Sequence, residues 1–180
     1  MKKQHIIQHT RKWLQSVIIE HNICPFAKKE FERDSIHYEV AESSNREDQL
    51  LLMISICKLL DLDDSIETSL IIYPNGLNQF DDYLNFLALA NALLEKQGYE
   101  GIYQLASFHP QYQFEGVAKD DASNYTNRSP YPTLHLIREA SLEKALKSYP
   151  DPEKIPERNI EYTRKLGLKT MQDMLRKCLR

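Results

Sequence analysis

The run Thr68-Ser69-Leu70-Ile71-Ile72-Tyr73, followed by Pro74-Asn75-Gly76, decides the class of fold. Its β-branched and aromatic residues read as a strand, and the Pro-Asn-Gly triplet ends that strand in a turn. Asn78 then stands as the cap of a helix whose first turn carries Asp81 and Asp82, where carboxylates meet the positive end of the helix dipole. That helix runs to Lys96 and stops at Gly98. Strand, turn and helix make one βα unit, and similar units lie to either side of it.

Upstream, Ile36 to Ala41 reads as a strand and residues 45–61 as a helix. Leu50, Met53, Ile54, Cys57 and Leu60 share one face of that helix, and Leu51, Leu52, Ile56 and Leu59 widen it. So broad an apolar face predicts burial on more than one side, with Cys57 as core packing. Further upstream, Ile6, Trp13, Leu14, Val17 and Ile18 recur at helical spacing, giving an amphipathic helix over residues 3–21. Downstream, Ile102 to Phe108 and Thr133 to Arg138 are the third and fourth strands, and Ser141 stands as the cap of the helix after them. Asp151-Pro152 opens a helical stretch to about Leu166, closed by Gly167, with Pro156 interrupting its first turns. Residues 168–180 read as a C-terminal extension with a small helix around Met171, Met174 and Leu175. Because strand-helix-strand crossovers give parallel neighbours, the expected fold is one α/β domain over residues 1–180. Its sheet is small, mixed and mainly parallel, with about four strands flanked by helices. An α+β two-layer ferredoxin-like arrangement is the alternative.

Composition narrows the classes of function. A chain of 180 residues, 42% hydrophobic and 27% charged, suits one packed core. The three cysteines, Cys24, Cys57 and Cys178, are odd in number and widely spaced, which fits neither a disulfide framework nor a zinc finger. No apolar run approaches the roughly 18 residues of a membrane span, and the amino end lacks the apolar core of a signal peptide. Together these predict a cytoplasmic protein with no membrane association. Residues 1–33 hold seven Lys/Arg against three Asp/Glu, residues 34–126 four against sixteen, and residues 127–180 twelve against seven. Basic ends without interleaved aromatics, on a chain of net charge −3, make nucleic-acid binding a minor alternative. There is no P-loop, G-x-G-x-x-G, H-E-x-x-H or G-x-S-x-G, and with five glycines no nucleotide cradle of a standard kind is expected. His5 and His9 lie one helical turn apart but have no acidic or cysteine partner nearby, so neither a metal nor a cofactor is expected.

The segment that invites a functional reading is residues 109–132, which lacks periodicity and is long for a loop inside a compact domain. Tyr112, Phe114, Tyr125 and Tyr131 give it aromatic surface, and Pro130 and Pro132 stiffen its exit. Two readings compete. In one, the loop is an Ω-like lid whose polar groups satisfy its own backbone. In the other, Arg128 clamps an anionic small molecule while Asn124, Asn127 and Ser129 orient it. His109 opens the loop at a strand end, where a general base can sit. His135 lies within a strand on the face shared by Thr133 and Ile137. The Cys24-Pro25 pair suggests that a second short helix runs to about Phe31, with Cys24 as its cap and Lys28 and Lys29 close by. In that position the thiolate is favoured; in a plain loop after the first helix the argument reverses.

Three stretches carry a resemblance. They are Asn22-Ile23-Cys24-Pro25-Phe26-Ala27, then Ala106-Ser107-Phe108-His109-Pro110 continuing through Tyr112 and Phe114, and Asn124 through Leu136. Together they resemble an uncharacterised bacterial family, the domain of unknown function DUF1415, from about residue 5 to about Gly167, with Pro156 departing from the pattern. The resemblance implies a bacterial origin and one compact domain, and it implies no activity. From the residues themselves the expectation is a small-molecule-binding protein, an enzyme if Cys24 acts as nucleophile and His109 as its base. Substrate contacts would come from Asn124, Asn127, Arg128, Ser129 and His135. A non-catalytic module that docks a protein partner through the loop is the alternative.

Overall fold

A computed structural model describes residues 2–180. Four strands form one sheet: β1 (Ile36–Val40), β2 (Thr68–Ile72), β3 (Tyr103–Phe108) and β4 (Thr133–Arg138), in the order β1-β2-β4-β3. β1 and β2 are parallel, with Ile36 opposite Thr68, whereas β4 runs antiparallel to both β2 and β3. The first three strands therefore all point the same way, as successive strand-helix-strand units demand. β4 returns between β2 and β3, so only one of the three pairings is parallel. The mixed α/β fold is as expected, but its parallel share is smaller.

Helices cover both faces. On one side lie α3 (Arg46–Leu62) and α4 (Phe80–Lys96). Their Met53, Cys57, Leu60, Tyr83, Phe86 and Ala90 are buried against Ile71, Tyr103, Leu134 and Leu136 of the sheet. Cys57 is core packing, as its helical position predicted. On the other side α1 (Lys3–Trp13) continues into a π-helical stretch, Leu14–Ile19, followed by the short α2 (Ala27–Glu32). α5 (Glu139–Ser148), α6 (Ile155–Leu166) and α7 (Leu168–Cys178) complete the chain. Trp13, Leu14, Val17 and Ile18 pack there with Ile36, Leu70, Tyr125, Met171 and Cys178, so α7 is part of this second core. Among the described residues no helix is long and apolar enough to cross a membrane.

Two expected caps are displaced. α4 is preceded by Gln79, not Asn78, with no side-chain cap bond; Asp81 and Asp82 in its first turn answer the dipole instead. α5 starts directly at the end of β4, which puts Ser141 inside the helix. The Glu139 N–H donates to the Ile102 carbonyl at 3.0 Å, so one free donor of that helix end is already satisfied by the sheet edge. Pro156 sits in the first turn of α6, where its missing N–H costs nothing.

Candidate functional site

The long loop is settled by its hydrogen bonds. The Asn124 side chain accepts from the Phe114 N–H at 3.0 Å and donates to the Ala118 carbonyl at 2.8 Å, and the residue is fully buried. Asn127 donates to the Ser107 carbonyl at 3.1 Å and accepts from the Thr126 hydroxyl at 3.0 Å. The Ser129 hydroxyl donates to the Tyr131 carbonyl at 2.6 Å. Arg128 is buried, its Nε donating to the Tyr112 carbonyl at 3.0 Å and an Nη to the Lys119 carbonyl at 2.8 Å. Its guanidinium also lies 4.5 Å from the centre of the Tyr125 ring. These groups answer the loop's own backbone, which is the Ω-like arrangement, with a 3₁₀ turn at Ala122–Thr126. The four residues expected to contact a ligand, Asn124, Asn127, Arg128 and Ser129, are thus committed to holding the segment down.

His109 is similarly committed. Its Nε2 donates to the Leu77 carbonyl at 3.0 Å, and its Nδ1 accepts from the Gln111 N–H at 3.0 Å. A carbonyl accepts and an N–H donates, so the ring is the neutral Nε2–H tautomer with no nitrogen left over. Burial pushes its pKa down, although the Leu77 bond opposes that. Phe80 and Tyr83 of α4 enclose it, on the α3/α4 side of the sheet. Cys24 packs with the other core, beside Trp13 and Ile18. The sheet separates the expected nucleophile from its expected base, and the Cys24–His109 pair does not form.

Cys24 is also not the cap of α2, whose flanking residue is Phe26; the Cys24 carbonyl accepts from the Ala27 N–H at 3.3 Å within the Cys-Pro turn. Burial pushes its thiol up, against weaker opposing effects from the Phe26 and Ala27 N–H groups and the Arg158 charge. At neutral pH it is a thiol. Alkylation of the native protein with iodoacetamide at pH 7.5 should therefore be slower than that of a free cysteine by about tenfold or more, and base should accelerate it. Mass mapping reads this, and rapid labelling of Cys24 at neutral pH would contradict it.

What the structure does bring together lies on the other face of the sheet. A cavity of about 160 Å³ opens between the end of α1, the π-helical stretch, the Cys-Pro turn, α5 and the sheet. Trp13, Leu14, Ile18, Phe108, Leu142 and Ala145 supply much of its apolar wall. Its polar groups include Cys24, Thr68 and His135. The π-helical turns, seen in the Glu20 N–H to Gln15 carbonyl bond at 2.9 Å, widen the helix where Leu14 and Ile18 meet this space. Trp13 also donates from Nε1 to the Arg128 carbonyl at 2.9 Å, tying the cavity wall to the loop.

His135 faces this cavity from β4, beside Phe108, and its Nε2 lies 2.6 Å from the Thr68 hydroxyl. The same hydroxyl donates to the Leu136 carbonyl at 2.6 Å. Burial lowers the imidazole pKa to about 4. Of the expected site residues, Cys24 and His135 share the cavity; His109, Asn124, Asn127, Arg128 and Ser129 do not line it. Sequence reasoning missed Thr68, which stands at a strand start as an ordinary β-branched residue. Only the register that sets Leu70 opposite His135 brings its hydroxyl to the imidazole.

No curated protein and no solved structure matches the sequence. The family model described as "Protein of unknown function (DUF1415)" matches residues 5–173, which include all four strands and every residue lining the cavity. The chain belongs to the DUF1415 family.

Proposed function

We propose that this is a small-molecule-binding protein whose ligand occupies the cavity bounded by Trp13, Phe108, His135, Leu142 and Ala145. The observation that carries the reading is the cavity itself: a concave, mainly apolar space with a few convergent polar groups is the usual form of a ligand site. At about 160 Å³ it is far larger than the voids of ordinary packing. The π-helical stretch on its wall supports the same reading, since such turns recur at functional sites. Binding is favoured over covalent catalysis because the Cys24 thiol is held protonated, and no histidine lies within hydrogen-bond reach of it among the described residues. A reducing cytoplasm is part of the proposal, supported by three unpaired thiols.

The chain has one tryptophan, and its indole lines the cavity, so its N–H signal reports occupancy. Titration with benzene, which fills an engineered apolar cavity of about 150 Å³ in another protein, should shift that signal saturably. In Ala145→Phe the added ring fills the space, and the shift should vanish while the strand amide signals stay in place. An indole signal that benzene leaves unmoved in the unsubstituted protein would sink the proposal.

A further inference from the structure

The Thr68–His135 pair fixes more than a position. A threonine hydroxyl has one proton, and at 2.6 Å from the Leu136 carbonyl that proton is given to an oxygen that can only accept. Toward His135, also at 2.6 Å, the hydroxyl must therefore act as acceptor, and Nε2 carries the hydrogen. In the neutral ring this leaves Nδ1 with a bare lone pair. Among the described residues no group bonds to that nitrogen, and His135 is one of the residues lining the cavity. The backbone of β4 thus sets, through Thr68, which kind of hydrogen-bonding group the cavity presents.

Resting on the binding reading above, we infer that the ligand is a molecule of about one six-membered ring that is not an anion, carrying one hydroxyl or N–H that donates to His135 Nδ1. The size follows from the cavity of about 160 Å³. Exclusion of an anion follows from the lining, which is largely hydrocarbon and includes no lysine or arginine: an anionic group placed there loses its hydration without a partner of positive charge. Glu30 and Glu67 line the same space and repel an anion further. The donor requirement follows from the lone pair. A ring without a donor displaces water from Nδ1 and leaves a buried acceptor unsatisfied, whereas a hydroxyl replaces that water in kind. Arg128, the group that would have favoured an anion, spends its guanidinium on the Tyr112 and Lys119 carbonyls.

Phenol and toluene have the same shape and differ in one donor, so they make the test. Affinities are read from the Trp13 indole N–H, and the state of His135 from the ring-nitrogen shifts of labelled histidine, assigned by their loss in His135→Gln. The expected result is that phenol binds about tenfold tighter than toluene and benzoate more weakly than both. Phenol alone should move the Nδ1 resonance away from its bare-acceptor value. Thr68→Val removes the hydroxyl that holds the tautomer, and with it the preference for phenol; Thr68→Ser restores that preference. Where Thr68→Val does not fold, the Nδ1 shift in the unsubstituted protein decides. Equal binding of phenol and toluene, or benzoate binding tightest, overturns the donor inference and leaves the cavity reading standing. If none of the three binds, both fall together.

Discussion

Arg128→Ala is expected to lower the stability of the protein by about 3 to 4 kcal/mol and to leave the cavity able to bind. The first part follows from what the guanidinium does. Two charge-assisted bonds, to the Tyr112 and Lys119 carbonyls, are each worth roughly 1.5 kcal/mol or more, and the stacked charge over Tyr125 adds about 1 kcal/mol. Truncation removes these and leaves two loop carbonyls to find water. Arg128→Lys should recover less than half of the loss, because a single ammonium cannot span both carbonyls and stay over the ring. Urea unfolding at 25 °C measures the change, with an unchanged slope showing that the native state is still compact. The second part separates a staple from a clamp. Benzene titration of the variant, under conditions where it is folded, should still move the Trp13 indole signal. A variant of undiminished stability that no longer binds would restore Arg128 to the ligand site.

The same residue shows how far the sequence could be read. The β-branched run at Thr68, the broad apolar face around Cys57 and the strand at Thr133–Arg138 were legible because hydrophobic periodicity reports burial directly, and burial decided each of them. The place of β4 was less so. Successive βα units imply co-directional strands, but nothing local tells a strand to insert between two earlier ones, and here the antiparallel return of β4 made the neighbours of β2 and β3. The loop was recognised as ordered from its aromatics, and a polar, ordered loop reads equally as a ligand lid or as a self-satisfied Ω-loop. What separates the two is whether the polar atoms point at carbonyls of the same segment, a three-dimensional fact. His109 and His135 illustrate this: each stands in or beside a strand of the same hairpin-like pair, yet alternation sends His109 toward Phe80 and Tyr83 and His135 into the cavity. The Cys24-Pro25 pair reads either as a helix cap or as a plain loop, because Pro marks a first helical turn and an ordinary turn alike; the structure takes the second form, with α2 beginning only at Ala27.

Through His135 the protein is expected to lose stability in mild acid. In the folded chain burial holds its pKa down to about 4, whereas the unfolded value lies near 6.5. Between those values the unfolded chain takes up a proton that the folded chain refuses, so stability is complete above about pH 6.5 and falls as the pH drops toward about 4. The sign is that of a histidine buried neutral, and the size is set by the gap: from about pH 7.5 to about pH 5 the loss should be about 2 kcal/mol. His109, whose pKa burial also lowers, adds in the same direction. The carboxylates held low by partners, such as Asp121 beside Arg164 and Ser123, give up their contribution chiefly below this window. His135→Gln keeps a donor for Thr68 and carries no charge at either pH, so its unfolding free energy should change over that interval by about 2 kcal/mol less than that of the unsubstituted protein. Urea titrations at the two pH values read the difference. A variant whose pH dependence matches the parent would mean that the imidazole is not neutral and enclosed in the folded state, and the lone pair offered to the cavity would no longer follow.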